Sequence, residues 1–388
     1  MDPSFVLPDI TLRMPEIKAL RHHLHQHPEL SFQEYVTAKY VAKLLRSWGY
    51  NVHEGIGKTG VVATLTLGEG PAIGLRAELD ALPVQEKSNR SYASTAPGIM
   101  HACGHDGHIT MLLAAAHCLS ERRQFRGTLN LILQPAEEAG GGAKAMIDEG
   151  LFSRFPCNPI FAMHNLPGFS AGQPGFFKGP FMASADTATI TIHGRGSHAA
   201  TPHLSTDPTV VCASIIMALQ TVVSRNISPQ EKAVVSIGSL HAGNVSNVIP
   251  ESAEIILSIR TLDPDIRLMI QNRITTLIQS QAESFGALVT VDYQHGYPVL
   301  INDPYMTEFA CQTAIKWIGE NNLMQGLAPL MASDDFAYML EECPGSYISI
   351  GNGPDTPSLH HPSYDFNDES LGRGATLWVK LVECYLGI

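Results

Sequence analysis

Thr128-Leu-Asn-Leu-Ile-Leu-Gln134 is a short, continuous apolar run, and Pro135-Ala-Glu-Glu138 follows it directly. A run of this length rich in Leu and Ile reads as a strand buried on both faces. Open α/β sheets place their ligand sites just past the carboxyl ends of such strands. The same grammar extends outward. Gly60-Val-Val-Ala-Thr-Leu-Thr-Leu67 and Ala72-Ile-Gly-Leu-Arg-Ala-Glu-Leu79 read as strands, and so does Pro159-Ile-Phe-Ala-Met163. Helices are predicted from Pro15 to about Trp48, from near Asp106 through Ala116, and from Ala143 to Glu149. Strands alternating with helices indicate an α/β layer fold with a mixed, mainly parallel central sheet.

From about Thr187 the pattern changes. Thr187-Ala-Thr-Ile-Thr-Ile-His193 alternates like a half-exposed strand, and Val211, Ile215, Leu219 and Val222 have helical spacing. Ala233–Leu240 and Ala253–Arg260 read as strands, Asp263-Pro264 as a helix start, and Ala287–Tyr293 as a last strand. The order β-α-β-β-α-β is the ferredoxin-like arrangement. Residues 187–299 are therefore expected to form a small α+β domain inserted into a catalytic domain of residues 1–186 and 300–388. The strand at Tyr347–Ile350 and a C-terminal helix resume the α/β pattern.

Composition narrows the class. The 388 residues carry 25 Lys+Arg against 37 Asp+Glu, a net charge of -12, which argues against nucleic acid or an anionic membrane as partner. No transmembrane span or secretory leader is read from the sequence. Seven widely spaced Cys form neither a disulfide framework nor a CxxC pair, so a reducing cytoplasm is expected.

The 17 His cluster, and the densest motif is Met100-His-Ala-Cys-Gly-His-Asp-Gly-His108. Its glycines let Cys103 and His105 converge on one ion, and thiolate, imidazole and carboxylate suit zinc-like metals. A His-rich helix start with a buried Cys fits the same residues. Glu137 and Glu138 point in different directions, so one could bind metal while the other takes a proton from water. A solvated acidic loop is the alternative. Met163-His-Asn165 puts His164 just past a second apolar strand. Leu359-His-His-Pro362 and Gly194-Arg-Gly-Ser-His-Ala-Ala-Thr-Pro-His203 add His near the C-terminus and in the inserted segment. Gly57-Lys-Thr59 looks like the end of a phosphate loop but is followed by a strand.

Taken in order, these motifs resemble the di-metal amidohydrolases of the aminoacylase/carboxypeptidase family, in the hippurate hydrolase, N-acetyl-diaminopimelate deacetylase and auxin-conjugate hydrolase branch. His25-Gln-His-Pro-Glu-Leu-Ser-Phe32 and Arg76-Ala-Glu-Leu-Asp-Ala-Leu-Pro83 fit that branch too. The resemblance implies a di-metal peptidase-like catalytic domain interrupted by a lid and dimerisation domain. It implies two divalent ions, zinc first, with manganese, nickel or cobalt as alternatives. Cys103 would bridge them, with His105, Glu138, His164 and His360 as the other ligands. Glu137 would be the general base and later acid. Asp80 would hold a ligand imidazole in its working tautomer. His198 would stabilise the oxyanion, from its own chain or from a partner subunit, and Asn247 and Arg260 would hold substrate. The implied reaction is hydrolysis of the amide of an N-acyl amino acid or small peptide by a homo-oligomer associating through the lid. A dipeptidase or carboxypeptidase is the near alternative, and a metal-binding protein without turnover the distant one. Glu78 and Asp334 depart from the family pattern, where Asp and Glu are usual. His22, His23, His25 and His27 carry no ligand role.

Overall fold

The computed structural model describes residues 5–387, which divide into two compact units. The first takes the chain up to Gly179, then Ile301–Ala328, then from Asp334 onward. The second is Pro180–Leu300 with Pro329–Ser333.

A seven-stranded sheet organises the first unit. Its order is Asn51–Ile56, Gly60–Leu67, Gly127–Gln134, Ala72–Glu78, Ile160–Leu166, Gly345–Gly351, Pro174–Gly175. The middle three pairings are parallel. The outer pairings, two on one side and one on the other, are antiparallel. The sheet is thus mixed, as expected, but parallel only in its centre. The outermost of these antiparallel pairings follows from the Gly57-Lys-Thr59 segment: it is the turn of a tight hairpin, with Gly57 and Lys58 at positive φ, and strands joined this closely must run antiparallel.

Ile73, Leu75 and Ala77 alternate onto one face with Leu129, Leu131 and Leu133, and share a core with the helices His105–Arg122 and Glu369–Tyr385. Covering helices explain why these strands read as continuous apolar runs. Arg76 and Glu78 alternate onto the opposite face, where they too are buried.

The N-terminal helical stretch is interrupted. Helices span Pro8–Leu12, Met14–Gln26 and Tyr35–Ser47, with no helix over 27–34. Pro28 explains the break, because it lacks an N–H and collides with the preceding turn. Leu30 instead bridges to Ala81 beside the sheet.

The second unit has its own antiparallel sheet, ordered Ala233–Ala242, Ser252–Thr261, Asp186–His193, Leu288–His295. Helices Pro208–Asn226 and Pro264–Ser284 pack on it, and Ile190, Ile192, Ile215, Leu219, Ile255, Leu257, Ile270 and Ile274 form a separate core. Asp207 and Asp263 cap these helices, each followed by Pro at the first helical position. Pro208–Asn226 is long and apolar enough to cross a membrane, but its Val211, Ile215, Leu219 and Val222 are the stripe that faces this core.

Candidate metal centre

Four short segments converge at the carboxyl ends of the central strands. Cys103 lies in the turn before the helix His105–Arg122, and Gly104 makes the turn at φ +93. A Cβ there would stand 2.5 Å from Asn165 Nδ2 and 2.6 Å from Tyr364 Oη, so the position requires glycine on two counts. Glu137 and Glu138 follow the strand Gly127–Gln134. His164 lies inside its strand, which runs to Leu166, rather than past it. Pairing with Gly345–Gly351 extends the strand beyond the apolar run, through Ser349↔His164 and Gly351↔Leu166. His360 comes from the loop before the last helix, at φ +67.

One ligand atom each from Cys103, Glu138 and His360 lies within 4.8 Å of the others, and the same holds for His105, Glu137 and Glu138. Cys103 Sγ is also 3.5 Å from His164 Nε2. His360 Nε2 is 3.4 Å from Glu138 Oε1, and His105 Nε2 is 3.9 Å from both Glu137 Oε2 and Glu138 Oε1. His361 stays outside this group and accepts the Ser363 N–H through Nδ1.

The imidazoles are oriented from behind. His105 Nδ1 donates to the main-chain carbonyl of Asp80 at 2.8 Å, with the Asp80 carboxylate at 3.4 Å. That carboxylate also accepts Ser31 Oγ–H at 2.7 Å and the Glu138 N–H at 3.0 Å. His164 Nδ1 donates to the Asn165 carbonyl at 2.8 Å. In both rings Nε2 is therefore the atom turned toward the acids and thiol.

His105 Nε2 and Glu138 Oε1 are buried without a hydrogen-bond partner. Buried unpaired polar atoms are costly, and atoms of the right type facing one point are what a cation satisfies. The electrostatics agree. Burial pushes the Cys103 thiol well up, and Glu138 and Glu137 add to it. Burial likewise drives the Glu137 carboxyl well above the usual range, helped by Asp334 and Glu138. Burial works against charge on His105, but Asp80 and Glu78 outweigh it and raise the imidazole to about 10. Such a pocket is short of positive charge, and divalent ions would reverse these trends. The residues fit two divalent metals.

A profile of Peptidase family M20/M25/M40 matches residues 74–383. The chain belongs to this family. Hippurate hydrolase of Campylobacter jejuni is 43% identical over 382 residues, covering 98% of this chain and 99% of that protein. N-acetyl-L-cysteine deacetylase of Bacillus subtilis is 38% identical over 358 residues, covering 92% and 85%. The solved Bacillus subtilis YXEP protein, described as a dinuclear metal binding peptidase from the M20 family, matches with a TM-score of 0.86 at 31% identity. That match covers 97% of this chain and 99% of that one.

In this M20 chain the departures from the family pattern sit together. Arg76 is fully buried and pairs with Glu78, with Asp334 at 3.0 Å and with Asp335 at 3.0 Å, while its Nε donates to Gln134 at 2.8 Å. Burial and Asp334 raise Asp335 to about 8, against the pull of Arg76. His108, part of the His101–His108 motif, has no role expected from the sequence. It is fully buried, and its ring lies 4.5 Å from that of His164. The available signal was spacing: residues 105 and 108 share a helix face.

The remaining candidates belong to the second unit. His198 and Asn247 come together on a two-stranded ribbon, where Val248 pairs with His198 and the Asn247 carbonyl accepts the Ala199 N–H at 3.0 Å. Both are exposed, and His198 Nδ1 accepts the Ala200 N–H. Arg260 lies apart on Ser252–Thr261, donating to the Met331 carbonyl at 3.0 Å.

Proposed function

We propose that this chain hydrolyses the amide bond of N-acyl amino acids, using two divalent ions held by Cys103, His105, Glu138, His164 and His360. One observation carries the reading: Glu138 is shared between the Cys103–His360 group and the His105–Glu137 group, so a base stands beside a ligand set. Cys103 reaches toward His164 as well as toward Glu138 and His360, which suits a thiolate serving both ions. Bound there, the ions would polarise the scissile carbonyl and acidify a water. Glu137 takes that water's proton and later delivers it to the leaving amine. His198 donates to the developing oxyanion, and Asn247 and Arg260 hold the substrate, Arg260 through its bidentate fork. Zinc is the expected metal, since a thiolate ligand disfavours magnesium and calcium. The enzyme works as a cytoplasmic homo-oligomer through its inserted lid domain, residues 187–299.

The names of two relatives, a hippurate hydrolase and an N-acetyl-L-cysteine deacetylase, support an acyl amino acid over a free dipeptide. A panel of acetyl and benzoyl amino acids against free dipeptides, with metal content measured on the same sample, tests this. Turnover of the acyl compounds with two ions per chain is expected. Cleavage of dipeptides alone would make the chain a dipeptidase, and no cleavage with metal bound would end the hydrolase reading.

A further inference from the structure

Glu78, His105, His108 and His164 each offer an atom within 4.8 Å of the others, which by proximity alone would make His108 a metal ligand. Its hydrogen bonds say otherwise. The Asn165 main-chain N–H points at His108 Nε2 from 3.0 Å, and the Asn165 side-chain amide lies 3.1 Å from the same atom. A main-chain N–H can only donate, so Nε2 is an acceptor and the proton sits on Nδ1. Nδ1 then donates to Glu78 Oε2 at 2.9 Å. Neither nitrogen has a lone pair left for an ion.

The chain of bonds continues in both directions. Behind His108, the other oxygen of Glu78 pairs with Arg76. Burial opposes the charge on Glu78, but Arg76 and then His108 hold it well below the usual carboxylate range. Ahead of His108, the Asn165 side-chain amide donates to the Cys103 carbonyl at 2.6 Å, and Tyr364 Oη–H donates to Asn165 Oδ1 at 2.5 Å. The Asn165 carbonyl is also the acceptor that orients His164. One residue, Asn165, thus fixes the main chain of Cys103 and the ring of His164, and His108 fixes Asn165.

We propose that His108, locked by Glu78 as the Nδ1–H tautomer, is a positioning residue that sets Cys103 and His164 in place through Asn165. This rests on the two-ion reading above. Glu78 completes the line from a fully buried arginine to the thiol loop, a role distinct from binding an ion.

Cobalt(II) loading of metal-free enzyme tests the proposal without relying on turnover. Wild type, His108→Gln, Glu78→Gln and the double variant are titrated, reading ion stoichiometry, affinity and the thiolate-to-cobalt absorption band of Cys103. Both single variants should still take two ions, about 10- to 100-fold more weakly, with the band shifted. The double variant should be no weaker than the weaker single, because both act along one chain of bonds. Affinity and band unchanged in both singles would overturn the proposal. So would His108→Gln saturating at one ion fewer than wild type, since that is how a ligand behaves. If His108→Gln does not fold, the isosteric Glu78→Gln decides by the same two readouts. Fewer than two ions in wild type would count against the two-ion reading instead, and the band of the remaining ion would still compare the variants.

Discussion

Glu137 and Glu138 are adjacent in sequence and differ in what surrounds them. Glu138 leaves one oxygen buried and unpaired among Cys103, His105 and His360, while Glu137 is crowded by Asp334 and Asp335. The difference suits the roles proposed for them, Glu138 as ligand and Glu137 as base, and it sets a clear expectation. Glu137→Gln should retain two ions, by elemental analysis, while kcat falls about 10²- to 10⁴-fold. A second expectation concerns His25. It is fully buried, with Nδ1 2.9 Å from Asp106 and Nε2 3.5 Å from Glu86. Burial opposes its charge, but Asp106 and Glu86 outweigh that and raise it from 6.5 to about 9. The folded value lies above the unfolded one. The stabilisation is therefore complete below about pH 6.5 and is lost as pH rises through about 9. Calorimetry between pH 6 and 10 should show a steeper fall in Tm for wild type than for His25→Gln. Within the N-terminal His cluster, His25 is fully buried between two carboxylates, while His22 pairs with Asp368 at 2.9 Å.

At the level of elements, the helix His105–Arg122 carries the most. Its N-terminal turn presents His105 and His108, and most of its length is buried. Gly107 in that first turn faces the Phe366 ring, and a Cβ there would lie 2.3 Å from Cδ2. Neither flexible end nor solvent relieves the clash, so Gly107→Ala should destabilise by about 1–3 kcal/mol, measured by urea unfolding, and should weaken metal binding by displacing His105 and His108. The helix itself and the central strands were legible from apolar runs. The end of Ile160–Leu166 was not, because pairing with Gly345–Gly351, distant in sequence, carries His164 and Asn165 into the sheet. The helical stretch expected from Pro15 to about Trp48 breaks at Pro28, into Met14–Gln26 and Tyr35–Ser47, and that Pro is a signal already present in the sequence.

At the scale of the whole molecule there are two cores, one around the seven-stranded sheet and one around the four-stranded sheet. The candidate ligands Cys103, His105, Glu138, His164 and His360 all belong to the first unit. Calorimetry should therefore resolve two transitions, and chelation should lower only that of the first unit. A metal present at a hundredfold excess over its Kd would account for about 2.7 kcal/mol of that shift. A uniform fall of both transitions would contradict this. The sequence by itself determined the family, the mixed α/β class and the residues capable of holding metal, because those follow from local pattern, residue type and the order of motifs. Only the tertiary structure decided that antiparallel edges flank the parallel centre, that the Asp80 main-chain carbonyl is the nearer acceptor for His105, and that His108 orients rather than ligates. The last two depend on which main-chain donor or acceptor faces a side chain from a strand or loop far away in sequence, and the first on backbone pairings such as Gly60–Leu67 with Gly127–Gln134. A hydrogen bond of about 3 Å is set by packing, and residue spacing along the chain does not record it.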